Sequence, residues 1–267
     1  YPGNPEIVLL SGVDMYRSIN GGTTFQDITC GYGNGNVHVD HHARAFLPNG
    51  FGGYDSNKLL SGSDGGVFYT ANAQFGTGGS TTSNRPTFIS LNQTIGSIEL
   101  YSGDITAGFA TAANPGASAG AQDNGSEYAR WPSGNQEPVQ WTVRNGGDGI
   151  YTRIEPVNEQ RWYYASQNGA VVVSQTGPAG GTSNATPAQS GWGGDTLSFV
   201  FPFELYRYGE LDVAGSGCST NIGCSYMLGG TNRVWEALEG GIPRSSWYPN
   251  SPNLTKNTLG NRSFINQ

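Results

Sequence analysis

Short apolar or β-branched runs alternate with small polar corners along this chain. The clearest case is residues 57–70, where the run Lys58–Gly62 is followed by a glycine-bearing corner and then by Val67–Thr70. Two such runs on either side of a glycine-bearing corner are typical of antiparallel strands joined by a tight turn. The pattern therefore predicts β-hairpins rather than helices.

The same corner recurs along the chain at intervals of about 45 to 65 residues. Each copy has two small residues, a spacer and then Asp or Asn, and each lies between strand-like runs. A four-stranded propeller blade takes roughly 40–50 residues, so these intervals fit blades with loops of variable length. The five acid or amide positions are Asp14, Asp64, Asp123, Asn168 and Asn232.

The predicted fold class is therefore all-β, a β-propeller of four-stranded antiparallel blades, with residues 1–267 as one domain or a propeller fragment. Its first blade lacks a strand, and closed propellers usually hold more than five blades. We expect a segment of a larger ring, or a chain that closes with a further propeller segment. The blades are expected near 1–30, 38–91, 98–144, 149–176 and 197–250, with a long Gly/Ser/Thr/Pro-rich loop at 177–194.

Composition narrows the function classes. Only 12% of the residues are charged, and the net charge is −7, with a sequence pI near 4.9. Nucleic acid is excluded as a partner because its binding needs clustered cations. No apolar run approaches the roughly 18–20 residues of a membrane-spanning helix, so no membrane insertion is expected.

Cysteines and sequons favour an extracellular, secreted glycoprotein. Cys218 and Cys224 lie close together in a polar loop that a disulfide could close, although the spacing also fits two separate thiols. Cys30 is expected to be a small buried side chain. Sequons that could carry glycans occur at Asn92, Asn124, Asn184, Asn253 and Asn261.

Ser18, Asn20, Gly22 and Phe25 follow the pattern Ser-x-Asp/Asn-x-Gly-x-x-aromatic. In such a hairpin Asn20 bonds its own turn, Gly22 supplies a positive φ, and Phe25 is expected to enter the blade core. This is the Asp-box, or BNR-repeat, pattern. The chain resembles Asp-box β-propellers, a group that includes sialidases, xyloglucan-cleaving glycosidases and the sortilin ectodomain.

The resemblance is to the sortilin-like and xyloglucanase-like secreted branch, through DHHARAF (40–46), SGSDGGVF (61–68), AQDNGS (121–126) and GGDGI (146–150). It extends to about Thr176 and fades afterwards. It implies a propeller fold and, within the box itself, a structural rather than a catalytic role. Asp64 and Asp123 are accordingly expected to stabilise turns.

All three histidines of the protein lie between His38 and His42. In an extended strand alternate side chains share a face, so His38, Asp40 and His42 would project together. Two imidazoles and a carboxylate are ligands that a divalent metal ion accepts. The alternative is that they line the propeller mouth and bond backbone or water. No cofactor is required by the pattern, and a divalent metal ion is the one candidate.

Acidic residues also begin several predicted inner strands, namely Asp40, Asp104, Asp148 and Glu204. Since inner strands converge on the axis of a propeller, two of these carboxylates could act as general acid and base in glycoside hydrolysis. The alternative is that Asp104 and Asp148 cap turns or bond backbone amides. Exposed aromatic rings could stack on sugars, and the alternative is that most of these rings belong to the core. The candidates are Tyr54, Trp131, Trp192 and Trp247.

These observations favour a secreted recognition module for a glycan or an extracellular protein. The first alternative is a glycoside hydrolase acting on a β-glucan such as xyloglucan. The second is a structural component of an extracellular assembly, which would self-associate. No Ser–His–Asp order, phosphate loop or arginine clamp is present to indicate another chemistry.

Overall fold

The computed structural model describes residues 1–32, 37–77, 84–96, 98–132, 139–157, 159–186, 190–206, 218–219, 223–224, 226–237, 247–252 and 254. Within these residues the chain forms one three-stranded and four four-stranded antiparallel sheets, and a separate two-stranded ladder. Neighbouring strands in each large sheet follow one another along the chain or are separated only by that ladder. The predicted fold class, all-β with antiparallel blades of the propeller type, is confirmed.

The chain divides into two compact units, Tyr1–Ser97 and Ile98–Gln267, called here the amino-terminal and carboxyl-terminal units. The amino-terminal unit holds blades one and two. Blade one comprises β1 (Val8–Ser11), β2 (Met15–Ser18) and β3 (Gln26–Asp27). Blade two comprises β4 (His41–Pro48), β5 (Tyr54–Ser63), β6 (Gly66–Thr70) and β7 (Ile89–Ser90).

The carboxyl-terminal unit holds blades three to five. Blade three comprises β8 (Leu100–Ile105), β9 (Gly116–Ala121), β10 (Gly125–Arg130) and β11 (Thr142–Asn145). Blade four comprises β12 (Gly149–Ile154), β13 (Trp162–Ser166), β14 (Ala170–Ser174) and β15 (Thr182–Asn184). Blade five comprises β16 (Phe203–Tyr206), β19 (Tyr226–Gly230), β20 (Val234–Ala237) and β21 (Trp247–Pro249). The two-stranded ladder pairs β17 (Cys218–Ser219) with β18 (Gly223–Cys224).

The segment 177–194 departs from the sequence expectation of a long loop. It supplies β15, which pairs with β14, and the short helix α1 (Ser190–Gly194). Its polar, small-residue composition hid the strand, because an exposed outer strand needs no apolar face. In the described residues no helix is long and apolar enough to cross a bilayer.

Packing in the carboxyl-terminal unit combines a small-residue contact with a large aromatic core. Strand β9 is buried throughout and reads Gly-Ala-Ser-Ala-Gly-Ala. A Cβ at Gly120 would collide with the carbonyl oxygen of Ile150, so the glycine allows close approach of blades three and four. Between blades four and five the core is built from larger side chains, including Tyr163, Trp192 and Trp235. Trp192, in α1, donates its indole N–H to the Gly169 carbonyl at 3.0 Å.

In blades two to five the recurring corner joins the second strand to the third. In blade one, which has three strands, the corner joins the first strand to the second. Four corners are three-residue turns, at 12–14, 122–124, 167–169 and 231–233, and the fifth is the two-residue turn 64–65. Asp123 and Asn168 have positive φ angles of 61° and 59°. The left-handed region is tolerated by Asp and Asn, which explains these residue types at the corners.

Every corner is also bonded by a residue that follows the outer strand of its own blade. The Asp40 N–H donates to Val13 at 2.8 Å, and the Asp148 carboxylate accepts the Asp123 N–H at 3.1 Å. The remaining three bonds are Asn92 Nδ2–H to Gly65 O at 2.6 Å, Asn168 N–H to Phe199 O at 3.2 Å, and Leu254 N–H to Asn232 O at 2.8 Å. The five corners therefore share their surroundings as well as their sequence pattern.

Candidate functional site

Asp148 lies between two corners of the carboxyl-terminal unit. Its Oδ1 accepts the Asp123 N–H, and its own N–H donates to Gln167 Oε1 at 3.2 Å. The carboxylate is half-buried at the start of β12. Its contacts are those of a residue that stabilises turns, which was the alternative to a catalytic role.

Asp104 joins blades three and four. Its Oδ2 accepts the Ile154 N–H at 2.7 Å and its Oδ1 accepts the Ile105 N–H at 2.9 Å. Burial raises the pKa of this carboxyl above its ordinary value, although both backbone bonds and the charge of Arg153 act to lower it. Asp104 therefore makes a structural contact between two blades, and burial holds its pKa above the ordinary value.

Glu204, on β16, is paired with Arg153 on β12. The Arg153 Nε donates to Glu204 Oε2 at 2.7 Å, and Nη2 donates to Oε1, so the contact is bidentate. These hydrogen bonds raise the pKa of Arg153. The guanidinium also lies 5.0 Å from the centre of the Tyr151 ring. Asp104, Arg153 and Glu204 thus form a row of alternating charge across the inner strands of three blades.

The metal-site prediction at His38, Asp40 and His42 rests on an extended strand that the structure does not show. Strand β4 begins at His41, and Asp40 has a positive φ of 61°. The left-handed residue turns the chain, so side chains two apart no longer share one face. Within the described residues these three side chains do not gather their ligand atoms around one point. The shared-face geometry is wrong.

The two histidines of that cluster have separate partners. His42 Nε2 bonds the Asp64 carboxylate, and His38 Nδ1 is 3.1 Å from the Val39 carbonyl oxygen. The Asp64 carboxylate also lies within 4.8 Å of that of Asp40. His41, which the sequence did not single out, is buried and bonds Ser61 Oγ at 2.8 Å.

The turn at Ser18–Phe25 has the predicted local hydrogen bonds. Ser18 Oγ accepts the Gly22 N–H at 2.9 Å, and Asn20 Oδ1 accepts the Thr24 N–H at 2.9 Å. Gly22 has the positive φ expected, at 91°. The prediction for Phe25 is wrong, since its side chain is 38% exposed and does not enter a core.

The cysteine and sequon predictions fall partly outside the described residues. Cys218 lies directly opposite Cys224 in the β17–β18 ladder, and the side chains of both are outside the described part. Cys30 is a free thiol and half-buried, rather than buried as expected.

Among the sequons, Asn124 and Asn184 are exposed, whereas Asn92 Nδ2 donates to the Gly65 carbonyl at 2.6 Å. The nitrogen of Asn92 that a glycan would modify is thus already used in a corner. Asn253 and Asn261 lie outside the described residues.

The candidate aromatic residues separate into core and surface. Trp192 and Trp247 are buried, whereas Tyr54 is 61% exposed. Trp131 is half-buried between two rings that the sequence did not single out: Phe109 at 5.2 Å and Trp141 at 6.2 Å between centroids. Phe109, Trp131 and Trp141 are called here the aromatic surface.

A cavity of about 200 Å³ lies in the amino-terminal unit beside the Ser18–Phe25 turn. Sequence reasoning missed it because its wall combines residues of blade one with residues more than fifty positions later in the chain. The lining residues are Arg17, Ile19, Asn20, Thr24, Gln26, Gly76 and Thr77.

The architecture and these sites define an all-β protein of propeller-type blades with polar corners and a surface-exposed aromatic group. No protein-family model matches the chain, and no curated protein matches it.

Solved structures of propeller enzymes do resemble it. An ancestral GH74 enzyme shares 15% identity over 95% of this chain and 31% of its own, with a TM-score of 0.33. A GH74 enzyme of Niastella koreensis shares 14% sequence identity, and the match covers 88% of this chain and 35% of that enzyme, with a TM-score of 0.33. The GH74 xyloglucanase of Xanthomonas campestris shares 10% sequence identity, and the match covers 87% of this chain and 34% of that enzyme, with a TM-score of 0.29. The chain spans about a third of the length of these enzymes.

Proposed function

We propose that this chain is part of a secreted Asp-box β-propeller that recognises a glycan through the aromatic surface. The supporting observation is the group of three edge-to-face rings, with Trp141 39% exposed. Aromatic rings bind sugars because their apolar faces contact the C–H groups of the sugar ring. An extracellular protein is the alternative partner for the same surface.

The aromatic surface is held in place before any ligand binds. Phe109 comes from the loop between β8 and β9, and Trp131 and Trp141 come from the connection between β10 and β11. The Trp131 N–H donates to the Pro115 carbonyl at 2.9 Å, which ties the two connections together. Rigid rings lose little conformational entropy on binding, so more of the contact energy is available for affinity.

The test is a glycan array followed by calorimetry on the sugars retained. Trp141→Ala is expected to lower affinity about tenfold, the equivalent of roughly 1.4 kcal/mol for one stacking ring. Tyr54→Ala is the matched control, because Tyr54 is an exposed aromatic residue outside the aromatic surface. A blank array, or equal affinities for the two variants, would contradict the proposal. Retention of a protein instead of a glycan from culture medium would favour the alternative partner.

A glycoside hydrolase acting on a β-glucan is the second candidate, favoured by one observation. Burial raises the pKa of Asp104, which is the property of a carboxyl that donates a proton to a leaving group. The partner carboxylate would be Asp148, which lies in the same unit. Asp104→Asn should abolish hydrolysis of xyloglucan while the protein stays folded. Unchanged turnover in Asp104→Asn and Asp148→Asn would exclude this activity.

A further inference from the structure

The cavity beside the Ser18–Phe25 turn has a buried cation in its wall. Arg17 is only 4% exposed and lines the cavity together with neutral polar side chains and Ile19. Its Nη1 donates to the Ala73 carbonyl at 2.8 Å, and its Nη2 donates to Phe75 at 3.3 Å and to Gly76. The carbonyls of one loop therefore bind three N–H groups of the guanidinium.

These carbonyls orient the guanidinium without neutralising it. Among the residues that the structure describes, no carboxylate lies within ion-pairing distance of Arg17. The nearby Tyr1 hydroxyl does not serve as the counter-ion, because burial outweighs the charge of Arg17 and raises the pKa of Tyr1 to about 12. A buried charge without a counter-ion is costly, so an anion that enters the cavity gains a strong partner.

The rest of the wall offers the contacts that a sugar ring needs. Gln26 is exposed at the cavity wall, and its side-chain amide has no bonded partner in the described ranges. Thr77 adds a hydroxyl, and Ile19 adds an apolar surface that is 67% exposed. Asn20 and Thr24 bond one another, which holds their part of the wall in a fixed shape. Among the lining residues that the structure describes, one cation, the polar groups of Gln26 and Thr77, and one apolar side chain match a small, carboxylate-bearing ring.

We propose that this cavity binds a uronic acid residue of an acidic glycan, with its carboxylate against Arg17 and its hydroxyl groups against Gln26 and Thr77. The apolar face of the sugar ring would contact Ile19. The site shares no residue with the aromatic surface, and the two proposals can fail separately. A cavity of about 200 Å³ accommodates one monosaccharide rather than a long chain, so the terminal residue of an acidic glycan is the expected ligand.

The test uses titration calorimetry with three probes at pH 7: glucuronate, glucose and acetate. Glucuronate is expected to bind at least tenfold more tightly than glucose, which lacks the carboxylate, and than acetate, which lacks the ring. Gln26→Glu places a carboxylate in the cavity wall at an exposed position, so the fold is retained. Repulsion of like charges should lower the affinity for glucuronate at least tenfold.

Arginine variants supply the second measurement. Arg17→Met should abolish glucuronate binding, whereas Arg85→Met should not, because Arg85 is equally buried and donates to the Thr29 carbonyl but does not line the cavity. If Arg17→Met does not fold, the glucuronate affinity of Gln26→Glu is the deciding measurement. Equal affinity for glucuronate and glucose would overturn the proposal, as would equal affinity for glucuronate and acetate or unchanged binding by Gln26→Glu. Loss of sugar-array binding by Trp141→Ala alone would leave this site unaffected.

Discussion

Arg17 in the amino-terminal unit and Arg153 in the carboxyl-terminal unit differ in what binds the guanidinium group. Arg153 forms a bidentate pair with Glu204, so its charge is neutralised by the protein itself. Arg17 is bound by three backbone carbonyls of one loop and has a cavity at its side. The difference shows that a satisfied set of hydrogen bonds and a neutralised charge are separate conditions. The arginine that meets only the first is the better candidate for an anionic ligand.

The largest effect is expected when the carbonyl contacts of Arg17 are removed. Arg17→Met should lower the free energy of unfolding by about 3 kcal/mol, because each buried hydrogen bond to a charged group contributes about 1.5–3 kcal/mol and removal of the buried charge offsets part of the loss. Urea denaturation measures the change. Arg17→Lys keeps the charge but not the fork of donors and should lie between wild type and Arg17→Met. If Arg17→Met unfolds at the same urea concentration as wild type, the hydrogen bonds from the guanidinium to the loop carbonyls do not contribute to stability.

A smaller effect is expected at the neutralised arginine. Glu204→Gln should lower the free energy of unfolding by about 1 kcal/mol or less, since the Glu204 side chain is 57% exposed and solvent screens the pair. The loss should shrink further in 1 M salt. Paired urea titrations of wild type and Glu204→Gln at low and high salt measure both quantities. A loss that is independent of salt would show that the contact acts through packing rather than through charge.

The smallest effect is expected at Asp104, the other acid in the row with Arg153. Because burial raises its pKa above the ordinary 3.8, the folded protein holds this proton more tightly than the unfolded chain. The resulting stabilisation is complete below pH 3.8 and is lost as the pH rises through the raised pKa. The stability of wild type relative to Asp104→Asn should therefore fall between pH 3 and pH 7. A difference that stays constant or grows with pH would contradict the raised pKa.

The sequence predicts the blades well because strand periodicity and turn residues act locally. The strands Met15–Ser18, Gly125–Arg130 and Val234–Ala237 lie within the blades expected near 1–30, 98–144 and 197–250. The left-handed conformation of Asp123 and Asn168 agrees with the residue types at the corners. Neighbouring residues determine such features, so one sequence is enough to predict them.

The candidate sites were harder to predict because they depend on contacts between distant parts of the chain. The same left-handed conformation at Asp40 interrupts the strand on which the metal prediction relied. The cavity needs Arg17 beside Gly76, and the aromatic surface needs Phe109 beside Trp131. The spacing of residues along the chain does not indicate that Arg17 donates to backbone carbonyls whereas Arg153 pairs with a carboxylate.

The bonds that complete the corners imply a direction of assembly during synthesis. Each corner is bonded by a residue that the ribosome adds only after the outer strand of the same blade, such as Asp40 for the corner at Val13 and Asp148 for the corner at Asp123. As the chain leaves the ribosome, the corner of each blade would therefore form its last hydrogen bond only after the outer strand of that blade and the following connection have emerged. A chain that ended between Asn145 and Asp148 would contain every strand of blade three but lack the carboxylate that accepts the Asp123 N–H.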